Sequence, residues 1–247
     1  VQESAGSTIV TFTGSYPRQC IDKAYNMALF DHATYTAGLF QVLWAELGGN
    51  WAGSVKLGVL PATGSYLMAA HNSPPLSDVI RDINKYSNNT MAQQLYLTIG
   101  AENKQTGDNA QDAEVAIKEY LKRIGINSQE LKLENGAGLS RMERISPENL
   151  GKLLQALDKT ALGAEVTASL PILGVDGTMA KHLTDSPARG HAHLKSGTLN
   201  DVKALAGFVH TLQGKTVVVV AMINQEGAGA SGMPALIALI DFVYKNY

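Results

Sequence analysis

The stretch His193-Leu194-Lys195-Ser196-Gly197-Thr198-Leu199-Asn200-Asp201-Val202, read on through Ile223, decides the fold. Val202–Leu212 and Thr216–Ile223 are strand-like and flank Gln213-Gly214, which is a hairpin signal. Lys195-Ser196-Gly197-Thr198 leads into that strand pair. Downstream, Pro234–Tyr247 reads as an amphipathic helix, and its stripe of Leu236, Ile237, Leu239, Ile240 and Val243 is assigned to core packing. Upstream lie long, well-punctuated helices. Strands framed by an earlier helical region and a terminal helix predict an α/β (α+β) architecture, a sheet with helices packed on its faces.

Working outward toward the N-terminus, Ser146-Pro147-Glu148 supplies an N-cap, a first-turn proline and a first-turn acid, opening a helix to about Asp158. Before it come a glycine-rich turn, Asn135-Gly136-Ala137-Gly138, a short strand at Leu131–Leu133, and a helix over Asp112–Ile124 ended by Gly125. Pro74-Pro75 opens another helix, with Leu76, Val79, Ile80 and Ile83 on one face. It runs into Ser87-Asn88-Asn89, poor helix formers that predict a short interruption before Met91–Leu95 resumes the helix. The first third reads differently, with strand-like pieces at Thr8–Thr13 and Ser54–Val59 and a helix over Ala33–Leu47 closed by Gly48-Gly49. Only 7 of the charged side chains fall in residues 1–75, against 20 in residues 76–150. That shift in texture places a soft domain boundary near residue 65. No internal repeat or low-complexity run is visible.

The chain has 247 residues, enough for one large domain or two small ones with ample core. Lys plus Arg is 20 and Asp plus Glu is 22, so the net charge is −2, without the basic excess of a nucleic-acid binder. Hydrophobic residues make up 45%, which excludes a disordered chain. A single cysteine, Cys20, excludes an internal disulfide framework and any site built on several thiolates. The longest uninterrupted apolar stretch, Val217–Ile223, is far short of a membrane span, so no transmembrane segment is expected. The opening residues lack the basic-then-apolar pattern of a signal peptide.

Two short constellations carry chemistry: Ser87-Asn88-Asn89 between two helices, and Lys195-Ser196-Gly197-Thr198 on the way into the hairpin. Each alone is common by chance. Their order and setting, however, match the second and third elements of the Ser-x-x-Lys, Ser-Asp-Asn, Lys-Thr-Gly set of β-lactamases and penicillin-binding proteins. The flanking residues sharpen the match. Ser73-Pro74-Pro75-Leu76 through Asn84-Lys85-Tyr86-Ser87-Asn88-Asn89, Glu134-Asn135-Gly136-Ala137-Gly138-Leu139-Ser140-Arg141, Gly174-Val175-Asp176-Gly177-Thr178 and His193–Val202 together resemble one family. These are the class C low-molecular-mass penicillin-binding proteins, bacterial D-alanyl-D-alanine carboxypeptidases/endopeptidases. The resemblance covers residues 60–247, and residues 1–60 resemble the tail of the extra domains this family inserts between its first two motifs.

The resemblance implies a penicillin-recognising, transpeptidase/β-lactamase-like fold, with residues 1–65 the remainder of inserted accessory domains and 66–247 the C-terminal part of the catalytic domain. It implies a serine-type D-Ala-D-Ala carboxypeptidase acting on peptidoglycan stem peptides through an acyl-enzyme, with β-lactam antibiotics as further ligands and no cofactor or metal. By that resemblance Ser87 relays a proton to and from the nucleophile, Asn89 faces the substrate's peptide carbonyl, and Lys195 supplies positive charge. Ser196 holds the substrate's terminal carboxylate, Gly197 leaves room for an added substrate strand, and the Thr198 N–H is an oxyanion donor. One element departs from the pattern: no serine in the chain has a lysine three positions later. Thr178-Met179-Ala180-Lys181 has the spacing but the wrong residue and place. The expectation is therefore a C-terminal portion of a longer, periplasmic protein, its signal peptide and nucleophile lying outside these residues and the portion inactive alone.

Two other readings stay open. A β-lactamase of class A type would use a glutamate between the second and third motifs, where Glu134, Glu143 and Glu148 lie. A non-catalytic peptidoglycan-binding or scaffold protein would have lost its nucleophile. His191 and His193 share a strand-like face, but with no third ligand nearby they read as structural. Asp176-Gly177-Thr178 and the Asn135–Gly138 turn read as turn chemistry supporting the cleft.

Overall fold

The structure is a computed structural model that describes residues 2–4, 7–20, 25, 27–59, 61–181 and 185–247. The chain divides into two compact units, Val1–Ala70 and His71–Tyr247.

In the first unit, β1 (Gln2–Ser4) pairs antiparallel with β2 (Ser7–Ile9). A helix, α1 (His32–Glu46), follows, with the Asp31 carboxylate accepting the Thr34 N–H at its start. No residue of α1 is buried, and Phe40 packs edge-on against Trp51 at 5.2 Å. The strand expected over Thr8–Thr13 is shorter, ending at Ile9. The one expected at Ser54–Val59 does not form, because its alternating Val55, Leu57 and Val59 find no ladder partner among the described residues. Leu57 and Val59 are 88% and 95% exposed.

The second unit begins with α2 (Leu76–Tyr86), α3 (Asn89–Asn103), α4 (Asn109–Arg123), α5 (Pro147–Asp158) and α6 (Gly163–Ser169). After a 3-10 turn at Gly177–Met179 come β3 (Ala192–Leu199), β4 (Val202–His210) and β5 (Thr216–Asn224). Two last helices, α7 (Ala228–Ser231) and α8 (Met233–Asn246), complete it. The strands form one antiparallel sheet in the order β3-β4-β5. The expected short strand at Leu131–Leu133 reduces to one bridge between Lys132 and Arg144. Helix α4 starts three residues earlier than expected because Asp108 caps it, accepting from the Ala110 and Gln111 N–H groups.

Period-two alternation sorts the sheet's side chains into two cores. Leu205, Val209, Val219 and their neighbours meet Leu236, Ile240 and Val243 of α8. Phe208, Ala206, Val218 and Val220 on the opposite face meet Leu154 of α5 and Val166 of α6. Covering both faces explains why Val217–Ile223 is continuously apolar rather than alternating. Each fully buried side chain such as Phe208 contributes roughly 1.5–3 kcal/mol of transfer free energy. Leu239, assigned to the core from its helical spacing, is 39% exposed, so the buried stripe of α8 is narrower than the sequence suggested. Helix α6 lies in a segment whose sequence reads as loop.

Candidate active site

Ser87 ends α2 in the left-handed region, with φ 54° and ψ 49°. The Asn88 side chain accepts the Met91 N–H and so caps α3, which starts at Asn89. The interruption expected at Ser87-Asn88-Asn89 is thus a sharp corner between two helices. It leaves Ser87 half-buried and Asn89 exposed. A non-glycine residue in this region is uncommon and costs on the order of 1–3 kcal/mol, which the surroundings must supply.

Lys195 lies in the middle of β3, paired opposite Ala206. Its Nζ donates to Ser87 Oγ at 2.9 Å and to the Ser196 carbonyl at 2.8 Å. Burial pushes the Lys195 ammonium below its ordinary value of 10.5, because the cation loses water there. The cleft beside this pair has a volume of about 460 Å³ and is lined by Ser87, Asn89, Lys195, Ser196, Gly197 and Thr198, along with the Gly136–Leu139 turn.

No described strand pairs with the edge of β3 opposite β4; the first residues of that edge bridge to Ile172 instead. Leu194 N–H donates away from β4, to the Pro171 carbonyl at 2.8 Å. Since backbone direction alternates along an antiparallel strand, the Ser196 and Thr198 N–H groups point to that same outer edge. A Cβ built on Gly197 would meet only the Ala204 methyl at 3.8 Å, so the protein's own packing does not demand glycine there. The Thr198 hydroxyl accepts from Lys203 at 2.9 Å.

The glycine-rich turn is held from behind. The Glu143 carboxylate accepts the N–H groups of Glu134, Asn135 and Gly136 at 3.1–3.2 Å. Glu134 accepts from the Ser140 hydroxyl, and Glu148 pairs with Lys152 at 2.6 Å. Glu134, Glu143 and Glu148 therefore already have protein partners. Arg141 reaches the turn between β3 and β4, pairing with Asp201 at 2.6 Å. His193 Nδ1–H donates to the Thr167 carbonyl at 3.0 Å, and His191 packs on Tyr244. Among the described residues no cluster of three His, Cys, Asp or Glu side chains could hold a metal ion. Cys20 is a half-buried free thiol. No described helix is long and apolar enough to cross a membrane.

One feature of the site has no short-range signal in the sequence. Lys85, two residues before Ser87, is buried and pairs with Asp176 at 2.6 Å. Both residues lie in stretches that read as helix end and turn, and nothing in either stretch points to the other.

A helix-flanked antiparallel sheet, with a lysine on its edge strand bonded to a serine at a helix corner, defines the architecture shared by penicillin-binding proteins and β-lactamases. The D-Ala-D-Ala carboxypeptidase 3 (S13) family profile matches residues 1–243, and the chain belongs to that family. It is 29% identical over 251 residues to the D-alanyl-D-alanine carboxypeptidase of Actinomadura sp. strain R39, covering 98% of this chain and 45% of the relative. Its structure superposes with TM-score 0.74 and 28% identity on penicillin binding protein 4 from Haemophilus influenzae, over 88% of this chain and 49% of that one. That protein is also known in complex with a β-lactam. A class A β-lactamase from Bacteroides cellulosilyticus matches at TM-score 0.51 and 20% identity, a likeness of fold. The chain spans about half the length of these first two relatives.

Proposed function

We propose that this chain supplies the proton-relay and substrate-holding half of a serine-type D-Ala-D-Ala carboxypeptidase/endopeptidase that acts on peptidoglycan stem peptides. The observation that carries the reading is the Lys195–Ser87 hydrogen bond of 2.9 Å, set in one cleft with the outward N–H groups of an open strand edge. Acyl transfer from a D-Ala-D-Ala amide needs an activated serine, a proton path to the leaving amine and donors for the oxyanion. Ser87 both donates and accepts, so it passes a proton between the nucleophile and the departing amine while Lys195 holds it in place. Asn89 directs its amide at the peptide carbonyl. Ser196 and the Lys195 cation receive the substrate's terminal carboxylate, and the substrate lies along Gly197 as an added strand. The Thr198 N–H is one oxyanion donor, and the nucleophile's own N–H is the other.

That nucleophile belongs to a Ser-x-x-Lys element outside these 247 residues. The chain alone forms no acyl-enzyme. β-Lactams acylate the same serine, because their strained amide presents the same carbonyl next to a carboxylate. Residues 1–65 are the remainder of inserted accessory domains, residues 66–247 the C-terminal part of the catalytic domain, and the site of action is the periplasm.

The test is turnover by a protein that carries a Ser-x-x-Lys element ahead of this chain. D-Alanine release from a D-Ala-D-Ala peptide, with slow nitrocefin hydrolysis, is the expected pattern. Fast nitrocefin turnover without D-alanine release overturns the reading in favour of a β-lactamase. Binding of peptidoglycan without either reaction overturns it in favour of a scaffold.

A further inference from the structure

Ser87 is in an uncommon backbone conformation, closed locally by the Ser87 and Asn88 N–H groups donating to the Ile83 carbonyl, and the helix end that carries it is gripped by one short segment, Ser169–Gly177. Lys85 is only 8% exposed, and its Nζ donates to the Leu170 carbonyl at 2.7 Å and to Asp176 Oδ2 at 2.6 Å. The other oxygen of Asp176 accepts the Ile172 N–H at 2.7 Å, which fixes the carboxylate's orientation. One residue earlier on α2, Asn84 Nδ2 donates to Ser169 Oγ at 2.8 Å. Gly177, at φ +55°, closes over the same helix end, and a Cβ there would stand 2.5 Å from the Lys85 carbonyl.

The same segment also grips β3. Leu194 N–H donates to the Pro171 carbonyl at 2.8 Å, and Leu173 N–H donates to the Ala192 carbonyl at 2.9 Å. Ser169–Gly177 is thus bonded on one side to the helix end that carries Ser87 and on the other to the strand that carries Lys195. Neither carrier can shift without breaking charge-assisted or backbone hydrogen bonds to a shared part. A lysine this buried needs its partner, since an unpaired buried ammonium carries a large desolvation penalty.

We propose that Lys85 and Asp176 are positioning residues: their ion pair holds the left-handed turn at Ser87 and thereby sets the Ser87–Lys195 separation. This rests on the reading of Ser87 and Lys195 as the proton relay, and it assigns the second, remote charge pair that keeps the relay in register. Asp176 acts through Lys85 and through the segment, and touches no substrate.

Two readouts test it. In the 247-residue chain, NMR Cα and Cβ shifts of Ser87 report its left-handed backbone. In a protein that carries a Ser-x-x-Lys element ahead of this chain, the rate of acylation by a penicillin, per folded molecule, and its pH profile report the relay. Asp176→Asn removes the charge at nearly constant shape. It is expected to move the Ser87 shifts away from left-handed values, slow acylation about 100-fold, as misplacement of a reacting group by an ångström does, and displace the limb of the pH profile set by Lys195. Asp176→Glu restores most of the rate. A lower melting temperature with unchanged Ser87 shifts, per-molecule rate and pH profile makes the pair a purely structural one and overturns the proposal. If Asp176→Asn does not fold, Lys85→Met removes the buried cation and its bonds to Leu170 and Asp176 together. Ser87 shifts unmoved in Lys85→Met then overturn it. If the wild-type longer protein is not acylated at all, the functional reading fails, while the Ser87 shifts still decide the tether.

Discussion

The Nζ of Lys195, on an edge strand, donates to the Oγ of Ser87, at a helix corner 108 residues earlier, over 2.9 Å. The contact joins a helix end and an edge strand that line the same cleft. A lysine drawn out of water and bonded to a hydroxyl keeps that hydroxyl aimed, and the lowered Lys195 value follows from the same burial. Four measurements follow from the arrangement and its supports.

Lys195 is expected to titrate below 10.5, because burial penalises its cation. NMR titration of its side-chain nitrogen in the chain should show a midpoint below 10.5. A midpoint at or above 10.5 contradicts a desolvated Lys195. In a protein that carries the nucleophile, Lys195→Ala should lower the acylation rate by at least 100-fold, comparable to the loss of one oxyanion donor at about 3–4 kcal/mol.

His193 is pushed below its ordinary 6.5, first by burial, against the opposing hydrogen bond to Thr167. The unfolded chain then binds a proton more readily than the folded one, so stability is full above pH 6.5 and declines as pH falls from there toward the folded value. Urea midpoints measured between pH 7.5 and 5 should fall, and His193→Gln should flatten that slope. An unchanged slope in the variant assigns the acid sensitivity elsewhere.

Glu130 behaves in the opposite chemical sense with the same outcome. Hydrogen bonds from Ser146 and Asn149 hold its carboxyl down to about 2, against an ordinary 4.5. Its contribution is present above pH 4.5 and is lost as pH falls from there to about 2. Glu130→Gln should therefore lower the urea midpoint at pH 7 and make little difference near pH 2. Ser146→Ala, which removes the N-cap of α5 as well, should cost about 1 kcal/mol at pH 7.

Gly136 and Gly138 separate two reasons for glycine in the cleft turn. Both have positive φ, 67° and 76°, but a Cβ at Gly136 would stand 2.3 Å from Tyr96 Cβ, whereas at Gly138 nothing lies within 4 Å. Gly138→Ala should cost about 1–2 kcal/mol from backbone conformation alone. Gly136→Ala should cost that plus a further 1–3 kcal/mol of overpacking. Denaturant unfolding of the two variants checks the order, and equal losses refute the role of Tyr96.

Much of this was legible in local chemistry. Ser146-Pro147-Glu148 opens α5 as its cap, proline and acid require, and the helix runs to Asp158. Gln213-Gly214 joins β4 to β5. The poor helix formers at Ser87-Asn88-Asn89 announced a break between α2 and α3, though not that Ser87 itself takes the left-handed turn. What stayed hidden depends on partners far along the chain. The Lys85–Asp176 pair spans 91 residues, and neither side chain differs in type from an ordinary surface charge. Ser54–Val59 has the alternation of a strand, but alternation records only which faces would be buried, not whether a neighbour is there to pair. Leu239 falls on the helical apolar spacing, yet it lies outside the cluster that Leu236, Ile240 and Val243 form with the sheet.

The most direct test is covalent labelling by a fluorescent penicillin. The account predicts that a protein carrying a Ser-x-x-Lys element ahead of this chain is labelled, that Ser87→Ala and Lys195→Ala versions of it label at least 100-fold more slowly, and that the 247-residue chain alone is not labelled. Absence of label on the longer protein, or label on the chain by itself, contradicts the assignment of Ser87 and Lys195 to an acyl-transfer relay.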